Sequence, residues 1–234
     1  MNTFMQTKMS FKIHPVHLVL IFITCFMCGT ASYAAGTERN KGKVVVGNFS
    51  NNDLSGWKER SFEGNTQYTL VEKEGQTSLH ADAQQSASAL YKKIKVNIQE
   101  YPYLNWSWKA NSKYASLDEQ NKPGDDYVAR VYVVVKRGVL PWKTYALNYV
   151  WSSNENPDES WPNAFTKNAI MIPVRSSRDA DQVWWMEKVN VYEDLKQYLN
   201  FDVKEVNGVA VMTDADNTEL NASANYGEIY FSSD

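Results

Sequence analysis

Cysteine and histidine are nearly missing from this 234-residue sequence. Both cysteines, Cys25 and Cys28, and two of the three histidines, His14 and His17, lie in one N-terminal stretch. That stretch carries Lys8 and Lys12 and no acid, then an apolar run from Leu18 to Cys28 broken only by Thr24, then small residues around Ser32 and Ala34. This is the pattern of a secretory signal peptide over residues 1–34, with cleavage after Ala34 or Ala35. The run is shorter than the ~20 residues that a spanning helix needs, so no membrane span is expected after cleavage. Thr24 and Met27 precede the two cysteines, where a lipoprotein would carry a small residue. The mature chain then has no cysteine and keeps only His80. That excludes disulfides, a cysteine nucleophile and zinc held by Cys and His. A Ser-His-Asp triad could use only His80, which sits in the alternating stretch SLHAD and reads as a half-exposed strand residue. A basic tract is also lacking. Without Lys8 and Lys12, 22 of the 24 Lys and Arg remain against 27 acids, a net charge of −5, so nucleic acid is not an expected partner.

What the chain has instead is strand pattern. Residues 35–42 form a polar, flexible leader, and 43–234 are long enough for a single domain with a sizeable core. Short runs at Lys43–Phe49, Gln67–Glu72, Thr77–Asp82 and Ala87–Val96 read as strands. In Tyr103–Lys109, Leu104, Trp106 and Trp108 share one face and Asn105, Ser107 and Lys109 the other, so both tryptophans read as core. Tyr127–Val135 and Ala146–Trp151 are two more runs, rich in β-branched and aromatic residues. Asn168–Val174, Trp184–Val191, Glu205–Thr213 and Glu228–Phe231 complete the set, with Asp214–Gly227 read as a connection. Val191, Leu195, Tyr198 and Leu199 have helical spacing, which predicts one short helix near 192–200. The class is all-β, an antiparallel β-sandwich.

Two resemblances sharpen this. Phe49, Leu54, Gly56 and Trp57 form F-x4-L-x-G-W, which resembles the opening of carbohydrate-binding-module and galactose-binding-like jelly rolls. It implies the jelly-roll form of sandwich, with Leu54 and Trp57 plugging one end. The phrases GDDYVARVYVVV, LNYVWS, W-x-x-E-K-V-N-V-Y-x-D-L and VAVMTDADNT…YGEIYF, from roughly Phe49 to Phe231, are similar to a bacterial family of exported proteins known as domain of unknown function 3047. That resemblance implies a bacterial envelope protein and no activity; the exported chain is expected to be periplasmic rather than extracellular.

The polar residues give candidates rather than a motif. Arg130 stands mid-strand among Val128, Tyr132 and Val134, so an acid or a ligand should pair with it, and Asp125 or Asp126 could. TDADNT puts Asp214, Asp216 and Asn217 just beyond a strand. A turn bonded to its own backbone is the preferred reading and calcium the alternative, since the EF-hand pattern is not met. No other cofactor is implied. Asp125, Asp126, Arg130, Asn148, Tyr149, Glu187, Asp214 and Asp216 are expected to line one cleft. Tyr132, Tyr149, Trp151 and Trp161 are candidate platforms for a sugar ring, each equally readable as core. Glu187 is the best candidate for an acid or base, should the protein be a glycoside hydrolase or lyase. The E-x-D-x-x-E signature of one jelly-roll glycosidase family is absent. Non-catalytic ligand binding, carbohydrate first, is therefore preferred over catalysis, and a structural or protein-interaction module of the envelope is the third reading. The long loop Ser152–Phe165 is a further place to look for binding function.

Overall fold

A computed structural model describes residues 39–234 apart from 41, 74, 139, 141, 142 and 200. The expected signal peptide lies outside the described residues, as does most of the leader. In chain order the strands are β1 (Arg39–Asn40), β2 (Lys43–Gly47), β3 (Trp57–Glu63), β4 (Gln67–Lys73), β5 (Gln76–Gln84), β6 (Ala87–Asn97) and β7 (Tyr103–Ala110). They continue as β8 (Arg130–Lys136), β9 (Thr144–Trp151), β10 (Trp161–Asn163), β11 (Thr166–Arg175), β12 (Trp185–Asn190), β13 (Glu205–Asp214) and β14 (Asn221–Ser232). One helix, α1 (Val191–Leu199), enters between β12 and β13.

The strands form two seven-stranded sheets. In the first, β14 is central. One of its edges pairs with β7, which pairs with β12. Its other edge is shared by β5, along Asn221–Tyr226, and β2, along Ile229–Ser232, with β4 outside β5 and β1 outside β2. The second sheet runs β10-β11-β9-β8-β13-β6-β3. All pairs are antiparallel except β11 with β9. The pairings nest: β5 with β14, β6 with β13, β7 with β12, β8 with β9, alternating between the first and second sheets. A long hairpin wound on itself in this way is a jelly roll, so the expected sandwich type follows from the pairing alone.

Alternation decides which side chains meet between the sheets. Val131, Val133 and Val135 of β8 point inward and are fully buried, as do Leu147, Tyr149 and Trp151 of β9. They meet Leu104, Trp106 and Trp108 of β7. Trp106 packs on Tyr149 at 5.5 Å between ring centroids, and Trp108 on Trp151 at 5.8 Å. Leu54 and Trp57 pack against this core, with Trp57 5.4 Å from Phe49. The helix is capped at its N-terminus. Asn190 accepts the Glu193 N–H at 3.1 Å, and Val191 and Leu195 are buried.

Four elements differ from the sequence reading. β3 and β10 were not expected as strands. β3 is an edge strand reading WKERSFE, whose charges mask its alternation, and β10 has three residues, one of them Pro162. The connection expected before Glu228 is mostly strand, because β14 begins at Asn221. Its NASANYG opening reads as loop from the small polar residues, yet Ala222, Ala224 and Tyr226 are buried between β5 and β7. Residues 39 and 40 of the supposed leader also pair, with β2.

Candidate functional site

The other face of the second sheet, turned away from the core, carries a cleft of about 280 Å³. The alternation that sends Val131, Val133, Leu147 and Tyr149 inward turns Arg130, Tyr132, Val134, Ala146 and Asn148 outward onto this face. Met212 and Asp214 of β13 join them, since Met212 is in register with Arg130. Ala87 and Ala146 keep the floor low, while Phe62, Tyr132 and Phe165 supply rings.

One end of the cleft is polar. Arg130 is buried, and its Nε donates to Asp214 Oδ1 at 3.0 Å while Nη2 donates to Asp214 Oδ2. Its Nη1 lies 3.9 Å from Asp125, and the guanidinium sits over the Tyr127 ring at 4.7 Å. Asp125 accepts both bonds from Asn163 Nδ2, at 2.9 and 3.1 Å. The loop before it is fixed by close packing: a Cβ on Gly124 would come within 2.5 Å of the Asp118 carbonyl oxygen. Burial pushes Asp125 up to about 7, outweighing the pull of Arg130 and the Asn163 bonds, with Asp126 and Asp216 adding to the rise. Burial, and then the Asp126 charge, push Asp216 up to about 6. The sheet floor supplies one more polar group. Asn148 is buried, its Nδ2 donates to the Ile170 carbonyl at 3.3 Å, and its Oδ1 has no partner among the described residues.

Asp126 holds the TDADNT turn rather than facing the cleft. It accepts the backbone N–H of Asn217 at 3.2 Å and of Thr218 at 2.7 Å, and the Thr218 hydroxyl at 2.6 Å. The turn is thus fixed across the chain, not by its own side chains as the sequence suggested. Asp126, Asp214 and Asp216 bring carboxylate oxygens within 4.8 Å of one another. As a calcium site the set fits poorly. Asp214 is taken by Arg130, Asp126 by the turn, and Asn217 offers its Nδ2 donor to Asp126 and Asp216 rather than an oxygen.

The structure brings Asp125, Arg130, Tyr132, Asn148, Asp214 and Asp216 together, with Asn217, and separates the rest. Glu187 is a correction. It lies on β12 in the other sheet, where it accepts Trp108 Nε1 at 2.9 Å and a forked pair from Arg175, at 2.6 and 3.1 Å. Tyr149 and Trp151 are corrections too, because both point into the core. Tyr149 donates its hydroxyl to Asp194 at 2.7 Å, and Trp151 Nε1 donates to the Ser176 carbonyl at 3.1 Å. Trp161 is buried against Tyr127, Val150 and Met171. His80 lies on β5 of the first sheet, 3.3 Å from Asn225 Oδ1. The sequence reading missed Phe62, Asn163, Phe165 and Met212. Asn163 and Phe165 lie at the end of the Ser152–Phe165 loop, two and four residues beyond Trp161.

The comparison with protein families decides the relationship. Residues 55–230 match the family described as protein of unknown function (DUF3047). This chain belongs to the DUF3047 family. No curated protein matches it. Among solved structures it is similar to the family 11 carbohydrate-binding module from Clostridium thermocellum in complex with a β-1,3-1,4-mixed-linked tetrasaccharide, at 10% identity and TM-score 0.44, covering 81% of this chain and 95% of that one. The same module of the cellulase Lic26A-Cel5E, also from Clostridium thermocellum, gives 8% identity and TM-score 0.46 over 81% and 94%. Endoglucanase 3 of Trichoderma harzianum, from family GH12, gives 10% and 0.38 over 76% and 97%. These distant likenesses carry no argument about what this DUF3047 member binds. Among the described residues, no helix is long and apolar enough to cross a membrane.

Proposed function

We propose that the protein binds carbohydrate without transforming it, in the cleft on the outer face of the second sheet. The observation that carries this reading is the meeting, in one cleft, of the Tyr132, Phe165 and Phe62 rings with a buried Asn148 oxygen that has no partner among the described residues. A sugar ring has an apolar C–H face for the aromatic rings and hydroxyls for the polar end. A buried acceptor without a donor costs about 1–3 kcal/mol, which a ligand hydroxyl would recover. The acids that a glycosidase would need are engaged elsewhere, Asp214 by Arg130 and Asp126 by the turn. Burial holds Tyr132 up at about 12 despite Arg130, so it makes a poor base at neutral pH. A hydrolase or lyase is the second reading, and one observation favours it: Asp125, raised to about 7, has the range of a general acid.

The site of action in this reading is the periplasm, after removal of the signal peptide. The test is a glycan array with the secreted protein, with the bound glycans checked for cleavage. Tyr132→Ala and Phe165→Ala should each lower affinity about tenfold, since an aromatic contact is worth about 0.5–1.5 kcal/mol beyond the area it buries. Release of shortened products would move the assignment to the second reading. Silence across the array refutes the carbohydrate reading and makes capture of an envelope protein the next measurement.

A further inference from the structure

The polar end of the cleft is rich in acceptors and short of donors. We infer that the group recognised there is a protonated amine, so that the ligand is a basic amino sugar with its amine unacetylated. This rests on the carbohydrate reading above.

Charge is the first argument. Asp125, Asp126, Asp214 and Asp216 gather around the single guanidinium of Arg130. A uronate brought here would meet like charges, whereas an ammonium would meet unlike ones. The commitment of the donors is the second. Arg130 Nε and Nη2 are taken by Asp214, Asn163 Nδ2 by Asp125, Asn217 Nδ2 by Asp126 and Asp216, and Asn148 Nδ2 by the Ile170 carbonyl. At this end the Asn148 Oδ1, which nothing among the described residues satisfies, and the carboxylates are acceptors, while the Thr144 and Thr166 hydroxyls and the Asn168 amide line the same cleft. The reverse assignment of the Asn148 amide would set its oxygen against the Ile170 carbonyl, so the unpartnered atom is the acceptor. Two other cations stand at the aromatic wall, Lys122 over Phe165 at 5.2 Å and Arg60 over Phe62 at 5.5 Å. Both reach solvent, where salt screens them more than it screens the buried acids.

The experiment is calorimetric titration of the mature protein with four β-1,4-linked tetramers and spermine. The tetramers are a neutral glucan, the matching glucosamine with free amines, its fully N-acetylated form, and a mannuronate. The inference expects the free-amine tetramer to bind at least tenfold more tightly than the neutral one, an advantage that shrinks as salt is raised. Asp125→Asn should narrow that ratio, and so should Asp216→Asn, whose half-exposed position keeps it informative if the first variant folds poorly. Glu72→Gln, exposed on β4 in the other sheet, should leave the ratio unchanged. Equal or tighter binding of the neutral or acetylated tetramer overturns the inference and leaves the carbohydrate reading standing. Spermine binding with no sugar binding overturns the carbohydrate reading and leaves the amine preference standing.

Discussion

Replacing Arg130 by Met tests the central claim about the cleft, that its polar end is an ion-paired network buried at a cost. Met keeps the apolar stem and removes the guanidinium. Asp214, almost wholly buried, would keep only the Tyr127 N–H at 3.2 Å among the donors that bond it here. It must then stay ionised without a counter-ion or take up a proton. Protonation sets a ceiling on the damage. Holding an ordinary aspartic acid neutral at pH 7 costs about 4 kcal/mol, since each unit above a pKa near 3.9 costs about 1.36 kcal/mol. That agrees with the ~3–5 kcal/mol typical of breaking a buried pair. At pH 5 the same ceiling is only about 1.5 kcal/mol. In the variant the folded-state pKa of Asp214 lies above its unfolded value. The penalty is therefore absent at low pH and grows as pH rises through that interval. Urea denaturation followed by tryptophan fluorescence at pH 5, 6 and 7 should show the variant losing ground steadily relative to the parent. The double variant Arg130→Met/Asp214→Asn should lose most of that slope, because no carboxylate is left to neutralise at that position. A cost that is the same at pH 5 and pH 7 would mean that the loss is packing, and the reasoning would be wrong.

Three more outcomes follow from the same geometry. Asp125 is raised from 3.8 to about 7, so its ionisation opposes folding, and the parent loses stability from this group as pH rises through that window. Asp125→Asn should therefore gain in melting temperature relative to the parent between pH 4 and pH 7 and hold the gain above; a difference independent of pH would contradict this. Gly124→Ala forces a Cβ to 2.5 Å from the Asp118 carbonyl oxygen and 2.6 Å from its carbon, both backbone atoms that cannot swing aside. It should cost about 1–3 kcal/mol and shift Asp125, so chemical denaturation should show moderate loss and glycan titration a larger one. Calcium at millimolar concentration should leave the melting temperature unchanged, because Asp214 and Asp126 are already engaged; a rise that a chelator reverses would make the acidic cluster a metal site after all.

How much of this could be read from the sequence differs between fold and site for a physical reason. A buried strand advertises itself through alternation, and β7 and β8 were legible because their inward residues are large and apolar. β3 and β14 were not, since one is a charged edge and the other is packed with Ala, Ser and Asn between neighbours that supply the bulk. Parity also carries the site, but only once the core side of the sheet is known. In β9 the choice of side decides that Asn148 meets the cleft while Tyr149 and Trp151 meet the core. The sequence showed Arg130 in need of an acid and offered Asp125 or Asp126. The bidentate partner is Asp214, which β13 delivers by pairing Met212 with Arg130, a contact across 84 residues. Asp126, the nearer acid in sequence, is spent on anchoring the turn that carries Asp216 and Asn217. The acids therefore divide their roles by topology: one neutralises the arginine, one fixes the turn, and Asp125 and Asp216 are left at the cleft with raised proton affinity. That division concentrates carboxyl groups at one end of the cleft, and it is the reason for expecting a ligand that brings positive charge.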